Sequence, residues 1–132
     1  ARANHGVDGI AVSNTTLSRP GLMDPAKCEM GGLSGRPLFH RSTVMLARVF
    51  QATGGRIPLI GIGGIDSGET ALAKIQAGAS LIQLYTGLIY EGPCLIQRIK
   101  DHLALAVRQD AAASIAELVG RHAEAWARKP LG

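Results

Sequence analysis

The stretch that decides the fold is Ile57-Pro58-Leu59-Ile60-Gly61-Ile62-Gly63-Gly64-Ile65-Asp66-Ser67-Gly68. Its first half is short and almost continuously apolar, which is typical of a strand buried on both faces of a parallel sheet. Glycines follow at once, and the pattern then predicts a helix from about Gly68 to Ala77. Asp66 and Glu69 stand at capping-box spacing, with the Ser67 hydroxyl as a rival N-cap. The stretch therefore predicts one unit of strand, tight turn and helix.

Similar units occur on both sides of this stretch. Further strands are predicted at Gly9–Ser13 and Ala79–Tyr85, and helices at Ser42–Phe50, Cys94–Arg108 and Ser114–Gly120, the last opening with a second capping box formed by Ser114 and Glu117. Strands that alternate with helices predict an α/β fold in which parallel strands are joined by crossover helices. A closed barrel of this kind needs eight such units and about 250 residues. The units predicted here are too few to close a barrel, so we expect residues 1–132 to be a piece of a larger α/β fold, without a second domain.

The composition argues against several classes of function. The net charge is only +4, no cluster of five or more basic residues occurs, and aromatic residues make up 4%, so a nucleic-acid surface is not expected. The histidines lie on separate segments and predict no metal site: His5, His40, His102 and His122. Cys28 and Cys94 stand far apart in the sequence and form no C-x-x-C pair. We therefore expect both to be reduced thiols in a reducing compartment.

The chain shows no targeting or membrane-spanning segment. No apolar run approaches the roughly 18 residues that a membrane span needs. The start, Ala1-Arg2-Ala3-Asn4-His5, lacks both the apolar stretch of a signal peptide and an initiator Met. We expect this start to be a cut through a longer protein.

The candidate binding residues lie where the predicted strands end. Gly61–Ser67 and Leu84–Gly87 place glycines there, either to let N–H groups converge on a phosphate or simply to form tight turns. Ser13–Thr16 offers polar side chains that suit a planar ligand with carbonyl and N–H edges, although such residues also occur in ordinary loops. Thr15–Pro37 shows no periodicity, which is typical of functional loops, and its end at Gly31–Pro37 is either an anion-binding nest or flexible.

Taken together, these segments resemble the C-terminal half of dihydroorotate dehydrogenases. The likeness runs from about Asp8 to Arg108 and is carried by Val12–Thr16, Gly31–Leu38, Ile60–Ile65 and Ala77–Gly87. The combination of Gly-Gly-Leu-Ser-Gly with Ala-Gly-Ala-Ser-Leu points to the quinone-reducing class (class 2). The resemblance implies that the fold is a (β/α)8 barrel, of which residues 1–132 contain about strands six to eight, with FMN across the barrel mouth.

The resemblance also implies roles for individual residues. FMN would be contacted by the hydroxyl of Ser13 (commonly Thr in the family), the backbones of Gly35 and Gly64, and the main-chain N–H groups of Tyr85 and Thr86, the last two at its phosphate. Asn14 and Thr15 would hydrogen-bond the pyrimidine substrate above the flavin. We predict that Gly64→Val ejects FMN, because a side chain there would block the approach of the phosphate.

The implied activity is the oxidation of dihydroorotate to orotate in pyrimidine biosynthesis, with quinone reoxidising the flavin. The family's base in this class is a serine on an earlier loop, and neither that loop, a flavin-contacting lysine nor the N-terminal membrane-contacting helices are matched. Neither Ser13 nor Ser34 is assigned as the base, and this chain alone is expected to be inactive. The resemblance places the whole enzyme at the cytoplasmic side of the bacterial inner membrane. The alternatives are another phosphate-binding barrel, such as a lyase or isomerase, and a non-catalytic half-barrel.

Overall fold

The three strands form one parallel sheet. In a computed structural model, which describes residues 6–19 and 22–132, β1 (Ile10–Val12), β2 (Leu59–Ile62) and β3 (Leu81–Gln83) lie in this order across the sheet. Ile10 pairs with Leu59 and Ile60 pairs with Leu81, so the carboxyl ends of all three strands lie at the same end of the sheet. The predicted α/β arrangement with parallel strands is confirmed.

Helices connect and follow the strands. The α-helices are α1 (Phe39–Thr53), α2 (Gly68–Gln76), α3 (Thr86–Glu91), α4 (Cys94–Gln109) and α5 (Ala123–Ala127), and short 3-10 helices cover Pro25–Cys28, Arg36–Leu38 and Ile115–Leu118. The three longest helices were predicted. The pattern did not reveal α3 and α5, because five or six residues are too few to show a helical periodicity.

The helix caps differ from the prediction. Ser67, not Asp66, is the N-cap of α2: its hydroxyl accepts the N–H of Thr70 at 3.2 Å, and the Thr70 hydroxyl accepts the N–H of Ser67 at 3.0 Å. The predicted pairing of Asp66 with Glu69 is therefore wrong. The Asp66 carboxylate instead accepts a hydrogen bond from Arg36 at 2.6 Å. This bond joins two segments that are distant in the sequence.

The second predicted capping box is also wrong. Ser114 precedes the 3-10 helix Ile115–Leu118, but its side chain caps no backbone group. Glu117 accepts a hydrogen bond from the N–H of Ala113 at 3.2 Å instead of that of Ser114. The short segment forms a single 3-10 turn in which the box geometry does not arise.

Burial follows the position of each strand in the sheet. In the central strand, Leu59 and Gly61 are buried, whereas Ala11 of β1 is exposed and Leu81 of β3 is 62% exposed. Within these residues, burial on both faces is therefore not found for β1 and β3, the two outer strands of this three-stranded sheet. The main core contains Leu46 from α1 and Ile75 from α2, packed together with Leu59.

The segment around α5 packs against α1. The ring of Trp126 packs edge-on against Phe39, with 6.0 Å between the ring centroids. Arg48 of α1 donates to the carbonyls of Ala127 at 3.1 Å and Lys129 at 3.0 Å. These contacts hold the segment around α5 along α1, whose first residue, Phe39, lies against the glycine turn that follows β2.

Within residues 6–19 and 22–132, no three His, Cys, Asp or Glu side chains come together as a metal site. Over the same residues, no helix has the length and apolar character that crossing a membrane requires. His5 and the rest of the Ala1–His5 start lie outside the described residues. Cys28 and Cys94 are separate, exposed thiols.

Candidate functional site

An open cavity of about 930 Å³ lies at the carboxyl ends of the strands. Its volume falls within the range of small-molecule sites, about 300–1,000 Å³. The cavity is lined by residues from all three strand ends, from the loop after β1 and from α3, and these include every binding residue named from the sequence: Ser13, Asn14, Thr15, Gly35, Gly64, Tyr85 and Thr86. The structure thus brings together residues as far apart in the chain as Ser13 and Thr86, while their individual roles stay predictions.

The end of β1 presents its polar side chains to the cavity. The peptide bond between Val12 and Ser13 is cis. The Asn14 side-chain oxygen accepts the N–H of Thr15 at 2.7 Å, which fixes the orientation of the amide and directs its N–H donors to other partners. The loop backbone lies close to the Thr15 side chain, since a Cβ built on Gly32 would lie 1.8 Å from the Thr15 hydroxyl oxygen, although Thr15 stays exposed. Only glycine permits this close approach of the loop backbone.

The segment Gly31–Pro37 is held against the strand ends by hydrogen bonds. Thr16 and Leu33 exchange backbone hydrogen bonds of 3.1 and 2.7 Å in an isolated antiparallel bridge. Further along, the hydroxyls of Thr86 and Ser34 are 3.2 Å apart. These contacts favour a loop with a defined backbone shape over a flexible one, as an anion-binding nest requires.

An ion pair closes the end of the same loop. The Arg36 side chain is 80% exposed and donates to the 15% exposed Asp66 at 2.6 Å. The hydrogen bond and the negative charge of Asp66 raise the pKa of Arg36. Because exposed pairs add little to global stability, we expect this pair to act mainly on the local order of the loop.

Arg36→Ala is accordingly expected to leave the denaturation midpoint almost unchanged and to speed amide hydrogen exchange in Gly31–Ser34 about tenfold. Exchange is measured by mass spectrometry on the full-length natural chain. The matched control is Arg121→Ala, which removes an exposed ion pair of 2.8 Å with Asp110 away from the cavity. Equal exchange in the two variants would show that the Arg36 pair does not order the loop.

The turn after β2 contains two glycines in left-handed conformations. Gly63 has φ +96° and Gly64 has φ +73°. A residue with a Cβ adopts such φ values only at a cost in conformational energy. A Cβ on Gly64 would lie 2.4 Å from the Cα of Phe39. The nearest obstacle to a side chain is therefore the start of α1. The reason given from the sequence for the effect of Gly64→Val, a blocked phosphate, is corrected to a clash with this helix.

The start of α3 forms another wall of the cavity. Tyr85 precedes the helix and Thr86 is its first residue, so N–H groups here belong to the turn that lacks intrahelical acceptors. Gly35 has φ +76°, and a Cβ there would lie 3.1 Å from the methyl carbon of Thr86, so the loop backbone approaches this turn closely. Backbone donors and small residues at this wall fit a ligand that carries an anionic group at one end.

A buried lysine lies behind the cavity wall, and the sequence analysis did not single it out. Lys74 of α2 is 0% exposed; its ammonium group donates to the Ser42 hydroxyl at 2.6 Å and to the Ile62 carbonyl at 3.3 Å. The same hydroxyl lies 3.1 Å from the carbonyl oxygen of Gly63. Burial lowers the pKa of Lys74 from 10.5 to about 7. Helical spacing could have revealed it, since Ala71 and Ile75 on the same stripe of α2 are also buried.

The stability of the protein is expected to depend on pH through Lys74. Between about pH 7 and 10.5 the unfolded chain holds this proton and the folded chain releases it, so the free energy of unfolding rises with pH in this window. Below pH 7 the penalty of the buried charge is fully present. Lys74→Met should remove this slope. Between pH 7 and 9, the free energy of unfolding of the natural protein should therefore rise by about 2 kcal/mol relative to that of the variant.

The slopes are measured by urea denaturation without added ligand. Lys100→Met is the control, because Lys100 lies at an exposed position on α4 and its loss should leave the slope unchanged. Parallel curves for the natural protein and Lys74→Met would contradict a buried, titrating amine.

The parallel sheet and the cavity at its carboxyl end place the chain among the α/β proteins that bind ligands with the turns following their strands. A family model described as dihydroorotate dehydrogenase matches residues 1–107. The chain belongs to the dihydroorotate dehydrogenase family.

Individual relatives agree with this assignment. Dihydroorotate dehydrogenase (quinone) of Brucella ovis is 59% identical over 126 residues, which are 95% of this chain and 35% of that protein. The protein of the same name from Brucella melitensis biotype 2 is 58% identical over the same shares of the two chains. The chain thus spans 35% of the length of these curated relatives.

Solved structures show the same fold. The crystal structure of DHODH in complex with ferulenol from Eimeria tenella has a TM-score of 0.81 and 40% identity, covering 87% of this chain and 31% of that chain. The ligand-free DHODH from the same organism has a TM-score of 0.82 and 38% identity, covering 93% of this chain and 33% of that chain.

Proposed function

We propose that this chain supplies strands six to eight of a (β/α)8 barrel in a quinone-dependent dihydroorotate dehydrogenase, and that the whole enzyme oxidises dihydroorotate to orotate in pyrimidine biosynthesis. The observation that carries the proposal is the common cavity. Residues named from the resemblance come from segments as distant as Ser13 and Thr86, and all of them line it. The family assignment and the relatives named as quinone enzymes support the same reading.

The cavity fits FMN as the cofactor. Tyr85 and Thr86 offer backbone N–H groups at the start of α3 for the phosphate, and Gly35 and Gly64 offer backbone without side chains on the neighbouring walls. The Ser13 hydroxyl, half-buried at the end of β1, would hydrogen-bond the ring system. When bound, FMN would supply the redox chemistry, accepting hydride from the substrate and passing electrons to quinone.

Asn14 and Thr15 would hold the pyrimidine ring. The Asn14 amide is already oriented by its hydrogen bond to Thr15, so its N–H groups can meet the carbonyl edge of the substrate at little entropic cost. The proposal assigns no residue of this chain as the base, a role that the resemblance gives to a serine on an earlier loop. Peripheral contact with the cytoplasmic face of the inner membrane would come from the family's N-terminal region.

The alternatives are weaker. A lyase or isomerase barrel would account for a phosphate site but leaves the match to the dehydrogenase family unexplained. A non-catalytic role agrees with the lack of an assigned base among these residues, but the cavity keeps the polar groups that we propose to position a substrate.

The test is to purify the full-length natural chain and record its absorbance. We expect a yellow protein with a flavin spectrum that dihydroorotate bleaches without oxygen and a soluble quinone restores. A colourless protein that takes up no added FMN would refute the proposal. A yellow protein that dihydroorotate does not bleach would refute the substrate while keeping the flavin site.

A further inference from the structure

The buried Lys74 sits behind the part of the cavity wall formed by Ile62 and Gly63. It does not line the cavity, whereas Ile62, Gly63 and Gly64 do. Its ammonium group reaches the wall in two ways, through the carbonyl of Ile62 and through Ser42, whose hydroxyl lies beside the Gly63 carbonyl. The lysine is thus connected to the backbone of the turn without touching a ligand.

The surroundings of Lys74 make an ordinary core role a poor explanation for it. Charged side chains are expensive to bury unless an opposite charge accompanies them. The ionisable groups on the helices packed near it stand at exposed or half-exposed positions: His40, Arg41, Arg48, Glu69, Arg98, Lys100, Asp101, His102 and Arg108. Burial lowers the pKa of Lys74, and none of the ion pairs found in the described part of the chain involves its ammonium group. The ring of Phe39, 5.4 Å away, offers only a cation–π contact.

We propose that Lys74 is a positioning residue for the phosphate assigned above to Tyr85 and Thr86, with the Gly63–Gly64 turn as a further wall of the same phosphate site. Lys74 holds this turn through Ser42 and supplies, from behind the wall, the positive charge that the bound phosphate requires. The inference rests on the proposed FMN site and adds to it a residue outside the cavity. A methionine of similar length would fill the same volume without a desolvation penalty, which argues that the amine is kept for its charge.

Binding and protonation are coupled in this arrangement. A phosphate on the cavity side favours the protonated amine and raises its pKa above the value of about 7 that it has without ligand. The affinity for a phosphate-bearing ligand therefore falls as the pH rises from about 7 to the raised pKa. A ligand that lacks the phosphate should show no such fall.

The experiment compares FMN with riboflavin, which has the same ring system but no phosphate. Dissociation constants of both are measured by flavin fluorescence for the full-length natural chain stripped of flavin, between pH 7.5 and about 9.5, where the phosphate is fully ionised. We expect the preference for FMN over riboflavin to fall about tenfold across this range. In Lys74→Met the preference should be about tenfold lower at pH 7.5 and independent of pH, with riboflavin binding unchanged.

Two further variants complete the design. Lys100→Met, at an exposed position on α4, should behave as the natural protein does. Ser42→Ala keeps the lysine but removes the hydroxyl that lies between Lys74 and Gly63. This variant should lower the preference for FMN about threefold. If Lys74→Met does not fold, Ser42→Ala becomes the decisive variant.

The outcomes separate the two proposals. A natural protein that binds FMN no better than riboflavin refutes the phosphate site of the proposed function. A clear preference for FMN that Lys74→Met or Ser42→Ala leaves intact at every pH refutes the role of Lys74 alone. Equal losses of FMN and riboflavin binding would identify a merely structural role and also overturn the inference.

Discussion

Replacing Asn14 by alanine is expected to lower kcat/KM for dihydroorotate about a hundredfold while the full-length natural chain keeps its flavin. Asn14 is exposed at the end of β1 and lines the cavity. Its side-chain oxygen is engaged by Thr15 at 2.7 Å, so its loss removes both a donor pair for the substrate and the contact that orders the next residue. Steady-state kinetics and the ratio of flavin to protein absorbance check both parts of the expectation.

Two companion variants refine this test. Asn14→Asp keeps an acceptor for the Thr15 N–H but loses the amide donors, and it should be impaired to a similar degree if donation to the substrate matters most. Gln51→Ala changes an exposed amide on α1, outside the cavity, and should be silent. If Asn14→Ala lost flavin but kept its affinity for the substrate, Asn14 would contact the flavin and not the pyrimidine ring.

The sequence predicts the parts of this molecule that depend on local pattern. The glycines after β2 and β3 mark strand ends, and in a parallel sheet strand ends come together, so Gly64 and Thr86 could be expected to meet before any coordinates were known. The structure places both on the cavity, together with Ser13. The order of elements follows from the same reasoning.

What the sequence did not reveal depends on contacts between distant segments. Asp66 stands at the right spacing for a helix cap, but Arg36, 30 positions earlier, engages its carboxylate, and Ser67 caps the helix. Lys74 is a surface residue by type, and although helical spacing places it on the buried stripe of α2, only the packing of three elements decides that its amine is enclosed and which groups it meets. Local pattern cannot rank such competing partners, which explains why the fold was easier to predict than the support behind its site.

Gly64→Val is expected to destabilise the protein by about 2–5 kcal/mol and to lose flavin as a consequence. Two contributions add up. A left-handed conformation costs a residue with a Cβ about 1–2 kcal/mol, and Gly64 has φ +73°. The side chain would then collide with the backbone of Phe39, whose nitrogen lies 2.5 Å from the Cβ position, at a cost of about 1–3 kcal/mol or more. Urea denaturation and flavin content measure the two effects.

Gly54 offers a control that separates these contributions. It is left-handed with φ +61°, but a Cβ there would meet only the Arg56 side chain, 3.9 Å away, which is an ordinary van der Waals contact. Alanine at this position should therefore cost only the conformational part, about 1–2 kcal/mol, whereas alanine at Gly64 should cost clearly more, because its Cβ alone already overlaps Phe39. If Gly64→Val lost flavin at unchanged stability, the side chain would be excluding the phosphate directly, and the start of α1 would not be the obstacle that the structure indicates. Equal destabilisation of the two alanine variants would likewise show that α1 can move aside, and that the tight packing of Phe39 on this turn does not govern the site.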